Sequence, residues 1–280
     1  MPHDSARISP TAHYTGFTWL TNGLSDPAFA TPTGQFLYRA LAAPNRLLRA
    51  AGKPNLDGFL LARHHMIDAL LRDGIERGEI GQVIEVACGL SPRGWRFART
   101  YGDRLTYIEA DLPGMAAKKR AVLARAGAGS AHHRVVDLDA TADAGPASIA
   151  EVAATLDPTR GTAIITEGLL NYFDTAAVTG MWRRFAAALA GFPHGLYLAD
   201  LHLAESAGPV ERLFAGALGL FVRGRIHFHF ADASAADRAL ATAGFTAAEL
   251  IDPSTRELPE LDRVSARFVR IVCASRHAER

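Results

Sequence analysis

Hydrophobic and polar positions along this chain follow two rhythms that divide it. Residues 33–51 and 55–78 read as helices. In the second stretch Phe59, Leu60, Met66, Ile67, Leu70 and Leu71 keep helical spacing. From residue 82, short β-rich apolar segments recur at 82–88, 105–111, 133–138, 161–167, 195–201, 246–251 and 267–274. Helical patterns at 93–101, 114–127, 146–156, 175–190, 206–220 and 234–243 separate most of them. Such alternation predicts an α/β fold with a mostly parallel sheet covered on both faces. The last two segments are joined by a Pro- and charge-rich loop, 252–265, without a helical pattern. That predicts an antiparallel edge strand from Arg267 to Ala274. The expected organisation is one globular unit. It has an N-terminal arm and helical cap over 1–80, a Rossmann-like core over 81–280, and a substrate-cap insertion over 203–233. Residues 1–32 are polar and turn-rich but hold His13, Tyr14, Phe17 and Trp19. These aromatics are expected to pack, either as a lid over a ligand or as an arm on the core.

Charge narrows the partners. Thirty basic residues oppose 29 acidic ones, so no basic field points to nucleic acid. The two cysteines, Cys88 and Cys273, form no CxxC pair, and no zinc cluster or disulfide framework is expected. No apolar run approaches the ~20 residues that cross a bilayer, and Met1 to Leu20 lacks a signal-peptide pattern. The expectation is a soluble cytoplasmic protein with a small-molecule substrate and neither nucleic acid nor membrane as partner. A homo-oligomer or a pathway partner protein stays open.

The chemistry gathers where strands end, because ligands of open α/β sheets bind beyond their carboxyl ends. The first strand runs through Glu85 into Ala87-Cys88-Gly89-Leu90-Ser91-Pro92, a small-residue turn that opens a helix. Gly89 has no Cβ to block a ligand. The second strand ends in Glu109-Ala110-Asp111. A carboxylate about twenty residues past the turn suits the two hydroxyls of a ribose. Glu109 and Asp111 share a strand face, and Asp111 is nearer the end. Asp137 and Leu138 close the third strand, where a carboxylate can accept from an adenine amino group. Glu167 closes an apolar fourth strand and needs a partner, either a ligand amine or a cation such as Arg63. The fifth ends in Ala199-Asp200-Leu201-His202.

Together these residues resemble the leucine carboxyl methyltransferase family, in the bacterial branch of the polyketide O-methyltransferases. The likeness runs through Arg63 to Asp68, Glu85 to Arg93, Glu109 to Pro113 with Lys118 or Lys119, Asp137-Leu138, and Glu167 to Tyr172. It spans roughly residues 55–205. The usual first glycine of the turn is Ala87 here, and alanine restricts φ. The resemblance implies a class I methyltransferase fold with S-adenosylmethionine as cofactor. It implies that Arg63 contacts the methionine carboxylate and that Gly89, with Glu85, lies by the methionine part. Asp111 would hold the ribose, Asp137 and Leu138 the adenine, and Glu167 the ammonium or sulfonium side.

The expected activity is O-methylation of a small molecule, with a natural-product intermediate as one class. Candidate catalytic residues are His202, His227, His229 and Tyr172, and no metal set is evident. Two alternatives share the pattern. One is a methyltransferase-like enzyme that runs another substitution, such as ring closure, without the cofactor. The other is a non-catalytic binding subunit.

Overall fold

A computed structural model of the protein describes residues 10–204, 227–258 and 261–277. Three helices precede the sheet: α1 (Pro10–Thr21), α2 (Pro32–Ala50) and α3 (Leu56–Glu76). Then follow β1 (Gln82–Val86), α4 (Arg93–Tyr101), β2 (Thr106–Asp111), α5 (Pro113–Arg125), β3 (His133–Asp137) and α6 (Ile149–Ala153). Next come β4 (Thr162–Thr166), α7 (Thr175–Leu189), β5 (His194–Leu201), α8 (Ala233–Ala243), β6 (Ala247–Ile251), α9 (Arg263–Ala266) and β7 (Arg270–His277). Local chemistry sets several boundaries. Thr31, Asn55 and Asp174 accept a backbone N–H from the first turn of α2, α3 and α7, and Pro32 and Pro113 open α2 and α5.

The strands form one seven-stranded sheet in the order β3-β2-β1-β4-β5-β7-β6. Pairing is parallel except around β7, which runs antiparallel to both β5 and β6. This is the class I methyltransferase arrangement. The order reverses between β1 and β4, which fixes the ligand crevice above these two strands. One expectation needs correction. β7 is not an edge strand, because β6 lies outside it. The burial shows why: Ile271, Val272 and Ala274 of β7 are enclosed, whereas most of β6 is open or half-open. The loop expected to lack a helix also holds the single turn α9.

Each face of the sheet carries its own apolar layer. Trp182, Phe185 and Tyr197 anchor one beneath α7 and α8. Ile67, Leu71, Phe97 and Tyr107 anchor the other beneath α3 and α4. Burying each such side chain contributes roughly 1.5–3 kcal/mol. The N-terminal arm, expected to be turn-rich, contains the helix α1, tied down by polar bonds that sequence periodicity does not show. The Tyr14 hydroxyl donates to Asp57 Oδ1 at 2.5 Å and accepts from Asn45 Nδ2 at 2.7 Å, joining α1 to α2 and α3. The helix expected over 206–220, and much of the 203–233 insertion, lie outside the described residues. Among the described residues no helix is long and apolar enough to cross a membrane.

Candidate active site at the strand ends

The turn after β1 is the centre of the crevice. Ala87 has φ 54° and is the one non-glycine residue with positive φ among the described residues; Gly89 has φ 49°. Alanine therefore sits in the left-handed region that favours glycine, at a cost of roughly 1–2 kcal/mol. Gly89 N–H donates to Asp111 Oδ2 at 2.8 Å, and Leu112 N–H donates to Oδ1 at 2.8 Å. Burial pushes the Asp111 carboxyl above the ordinary aspartate range, and these two N–H groups offset part of that rise. A Cβ placed on Gly89 would meet only the Ala87 carbonyl oxygen, at 4.0 Å, so the turn offers bare backbone to open space. Ser91 Oγ accepts from Arg93 N–H at 3.3 Å where α4 begins. Cys88 is buried and its thiol is pushed well up by burial, as suits a small apolar residue.

A buried ion network underlies one side of this turn. Arg93, fully enclosed, donates from Nε to Asp68 Oδ1 at 2.6 Å and from Nη1 to Glu85 Oε1 at 2.7 Å. Its Nη2 donates to Glu167 Oε2 at 2.5 Å. Glu85 also accepts from the Tyr107 hydroxyl at 2.9 Å, and Arg96 pairs with Asp68. Burial raises the Glu167 carboxyl, but His64, Arg93 and Arg63 outweigh it and hold the group well below the carboxylate range. Asp68 is depressed in the same way, with His64, Arg93 and Arg96 overcoming burial. Arg63 donates from Nε to Glu167 at 3.1 Å and from Nη1 to Asp200 at 3.0 Å. Gly168 N–H donates to Asp200 at 2.7 Å, and a Cβ there would come within 3.1 Å of Arg63 Nη2.

The structure thus brings Arg63, Gly89, Asp111, Glu167 and Tyr172 to the strand-end rim. Glu85 lies beneath it, enclosed by Arg93 and Tyr107. Asp137 stands exposed at the end of β3, paired with Arg120 at 2.7 Å, while Leu138 is buried and donates its N–H to the Asp111 carbonyl. Glu109 points to the buried cation Lys119 at 3.3 Å, which separates it from Asp111. Lys119 in turn donates to the Ser91 carbonyl at 2.5 Å, bracing the turn. Asp68, Arg93, Lys119 and Asp200 belong to the site's framework though motif spacing gave them no role. The signal for Asp200 was its place at a strand end; Asp68, Arg93 and Lys119 stood at positions of the family resemblance, but their roles needed three-dimensional contacts.

Histidine geometry separates the candidate bases. His202 stacks on Phe59 at 5.4 Å, and its Nδ1 lies 3.1 Å from the Phe268 carbonyl. A carbonyl only accepts, so Nδ1 carries the proton and Nε2 is the basic nitrogen. Burial lowers its pKa. His229 has Nε2 at 3.0 Å from the Leu170 carbonyl and Nδ1 at 3.3 Å from Thr175 Oγ1, so both nitrogens are engaged. Burial lowers its pKa too. His227 stacks against His229 at 6.2 Å, and Tyr172 is exposed. Among the described residues no three metal-ligating side chains converge. From the other side, α1 covers the rim: Trp19 lies 4.7 Å from the His64 ring, and Gly16 abuts Leu90 of the turn.

The family model for leucine carboxyl methyltransferases matches residues 27–186, which include the cap helix, the turn and the first four strands. The chain belongs to the leucine carboxyl methyltransferase family. Solved structures carry the same fold at low identity. A DUF574 family protein from Streptomyces avermitilis is 15% identical at a TM-score of 0.63, with 98% of this chain and 99% of that one covered. A candidate methyltransferase from Thermobifida fusca is 15% identical at 0.64, covering 98% and 97%. A candidate O-methyltransferase from Nostoc punctiforme is 13% identical at 0.52 over 79% of this chain, which spans only 60% of that longer one. Methyltransferases of this family use S-adenosylmethionine as methyl donor. The bare backbone at Gly89, the Asp111 carboxylate beside it and the cationic Arg63 on the opposite side form a donor and acceptor set that fits its ribose and methionine carboxylate.

Proposed function

We propose that this protein is an S-adenosylmethionine-dependent O-methyltransferase acting on a small-molecule acceptor, with natural-product intermediates as the favoured class. The observation that carries this reading is the left-handed Ala87–Gly89 turn held by Asp111 at the switch point of the sheet. Bound there, the cofactor supplies a methyl group already activated on a sulfonium.

The protein's own tasks are then positioning and exclusion of water. Asp111 accepts from the ribose hydroxyls. Asp137 and Leu138 border the adenine. Arg63 spends two of its five N–H groups on Glu167 and Asp200, and the rest, on Nη1 and Nη2, suit the methionine carboxylate. Glu167, held ionised, faces the cationic end. His202 Nε2 is the candidate base for a hydroxyl acceptor, since its Nδ1 is tied to the Phe268 carbonyl while both nitrogens of His229 are engaged, and its lowered pKa keeps it neutral at pH 7. Tyr172, His227 and His229 flank the acceptor side, and α1 screens the rim from water.

One observation favours a second reading. Glu85 and Glu167 are satisfied by Arg93, Tyr107 and Arg63 without a ligand. A methyltransferase fold that keeps these residues as framework can run a different substitution without the cofactor. Calorimetric titration with S-adenosylmethionine decides between the two. Micromolar binding, weakened about 100-fold or more by Asp111→Ala through loss of two charged hydrogen bonds, supports methyl transfer. Absence of binding to folded protein sinks it.

A further inference from the structure

The near-neutral charge of the whole chain conceals a local imbalance. Residues 27–56 contain Arg39, Arg46, Arg49 and Lys53 and no acid. Most of this segment is α2. Three of the seven exposed large apolar side chains among the described residues also lie on α2: Phe36 at 71%, Leu47 at 72% and Leu48 at 40% exposure. Phe36, Ala40, Ala43, Leu47 and Ala50 succeed one another at intervals of four and three and are all exposed, so they line one outward stripe. The opposite side is occupied: Asn45 is buried, and Leu37, Tyr38 and Leu41 pack on the core. Arg39 and Arg46 are exposed and, with Lys53, form no ion pair among the described residues. Arg49 reaches Asp57 only at 3.9 Å.

At the C-terminal end of α2 a cavity of about 540 Å³ opens between α2, α3 and α9. Arg49, Lys53, Leu61 and Val264 line part of it, and Val264 is itself exposed. Asp262 borders it too, but its carboxylate is taken up by Asn55 Nδ2 at 2.6 Å and by the N–H groups that begin α9. The cavity therefore joins cationic and apolar walls at the C-terminal end of the helix that carries the apolar stripe.

We propose that α2 is a peripheral docking surface for an anionic lipid bilayer. Phe36, Leu47 and Leu48 enter the acyl boundary, Arg39 and Arg46 meet phosphates along one flank, and a headgroup enters the cavity at Arg49 and Lys53. A convex apolar stripe edged by arginine matches a helix lying in the interface plane. A second copy fits less well. Antiparallel pairing centred on Ala40 and Ala43 would set Arg39 of one molecule alongside Arg46 of the other. This proposal departs from the expectation of no membrane partner, which rested on the lack of an apolar run long enough to cross a bilayer and does not bear on a helix lying in the interface plane. It stands independently of the methyl-transfer reading.

The test is flotation of the purified full chain with two vesicle types, phosphatidylcholine alone and phosphatidylcholine mixed with phosphatidylglycerol. The expected result is partition onto the mixed vesicles only, reversed by salt near ~1 M. Arg39→Glu with Arg46→Glu should lower the partition coefficient about tenfold or more, and Phe36→Ser with Leu47→Ser should do the same. All four side chains are exposed, so circular dichroism and melting temperature should not change. Equal binding to both vesicles, no binding, or variants that bind like the parent protein would overturn the proposal. So would a concentration-dependent dimer, abolished by Phe36→Ser with Leu47→Ser, that binds no vesicles.

Discussion

The two halves of the strand-end rim hold the same residue type to different ends. On the side of β1, β4 and β5, Glu85, Glu167 and Asp200 are enclosed and bound by Arg63 and Arg93. On the side of β2 and β3, Asp111 is held by two backbone N–H groups, and Asp137 by one exposed arginine. A carboxylate at a strand end is thus tied to side-chain cations where it is enclosed and left more open to the crevice where it is not. Burial decides, because a buried charge must be paired before anything else.

The largest effect expected from breaking this contrast is on the enclosed side. Arg93→Met leaves Asp68, Glu85 and Glu167 buried with fewer partners, and should cost about 3–5 kcal/mol in denaturant unfolding. A loss below about 1 kcal/mol would show that water reaches the network.

Acid should separate the halves next. Glu167 and Asp68 have folded-state pKa values below their unfolded ones. Their stabilisation is full above the unfolded pKa and is lost as pH falls through the folded value. Asp111 is shifted the other way and takes up its proton first. As pH falls, calorimetric affinity for S-adenosylmethionine should drop at a pH where the melting temperature still holds. Simultaneous loss of both would count against the division.

Ala87→Gly should stabilise by about 1 kcal/mol, raising the melting temperature by roughly 1–3 °C, because glycine adopts positive φ without strain. A lower melting temperature would mean that the alanine methyl packs favourably. The smallest effect belongs to the open side. Asp137→Ala breaks only an exposed pair with Arg120 and should alter stability by less than about 1 kcal/mol. Its larger effect, if it borders the adenine, should appear in cofactor affinity.

Much of the fold was legible in the sequence because strand and helix periods differ and the apolar runs were short and bounded. The expected segments at 82–88 and 161–167, for example, enclose β1 and β4. The helix α1 was not legible, since its buried side includes Thr15 and Thr18 beside Tyr14 and Trp19, so no apolar stripe marks it. In the site, the glycine turn and Asp111 could be read from order and spacing. The roles of Arg93, Lys119 and Asp200 could not, because each depends on partners distant in the chain; Asp200, for instance, meets Arg63 on α3.

By itself the sequence determined the alternation of elements, the family and the placing of acids at strand ends, since these follow from periodicity and short-range spacing. Only the tertiary structure decided which acids are spent on arginine and which face the crevice, why alanine serves in a glycine's place, and that β7 lies inside the sheet. Those outcomes rest on burial and on the pairing of distant charges, which local sequence does not encode.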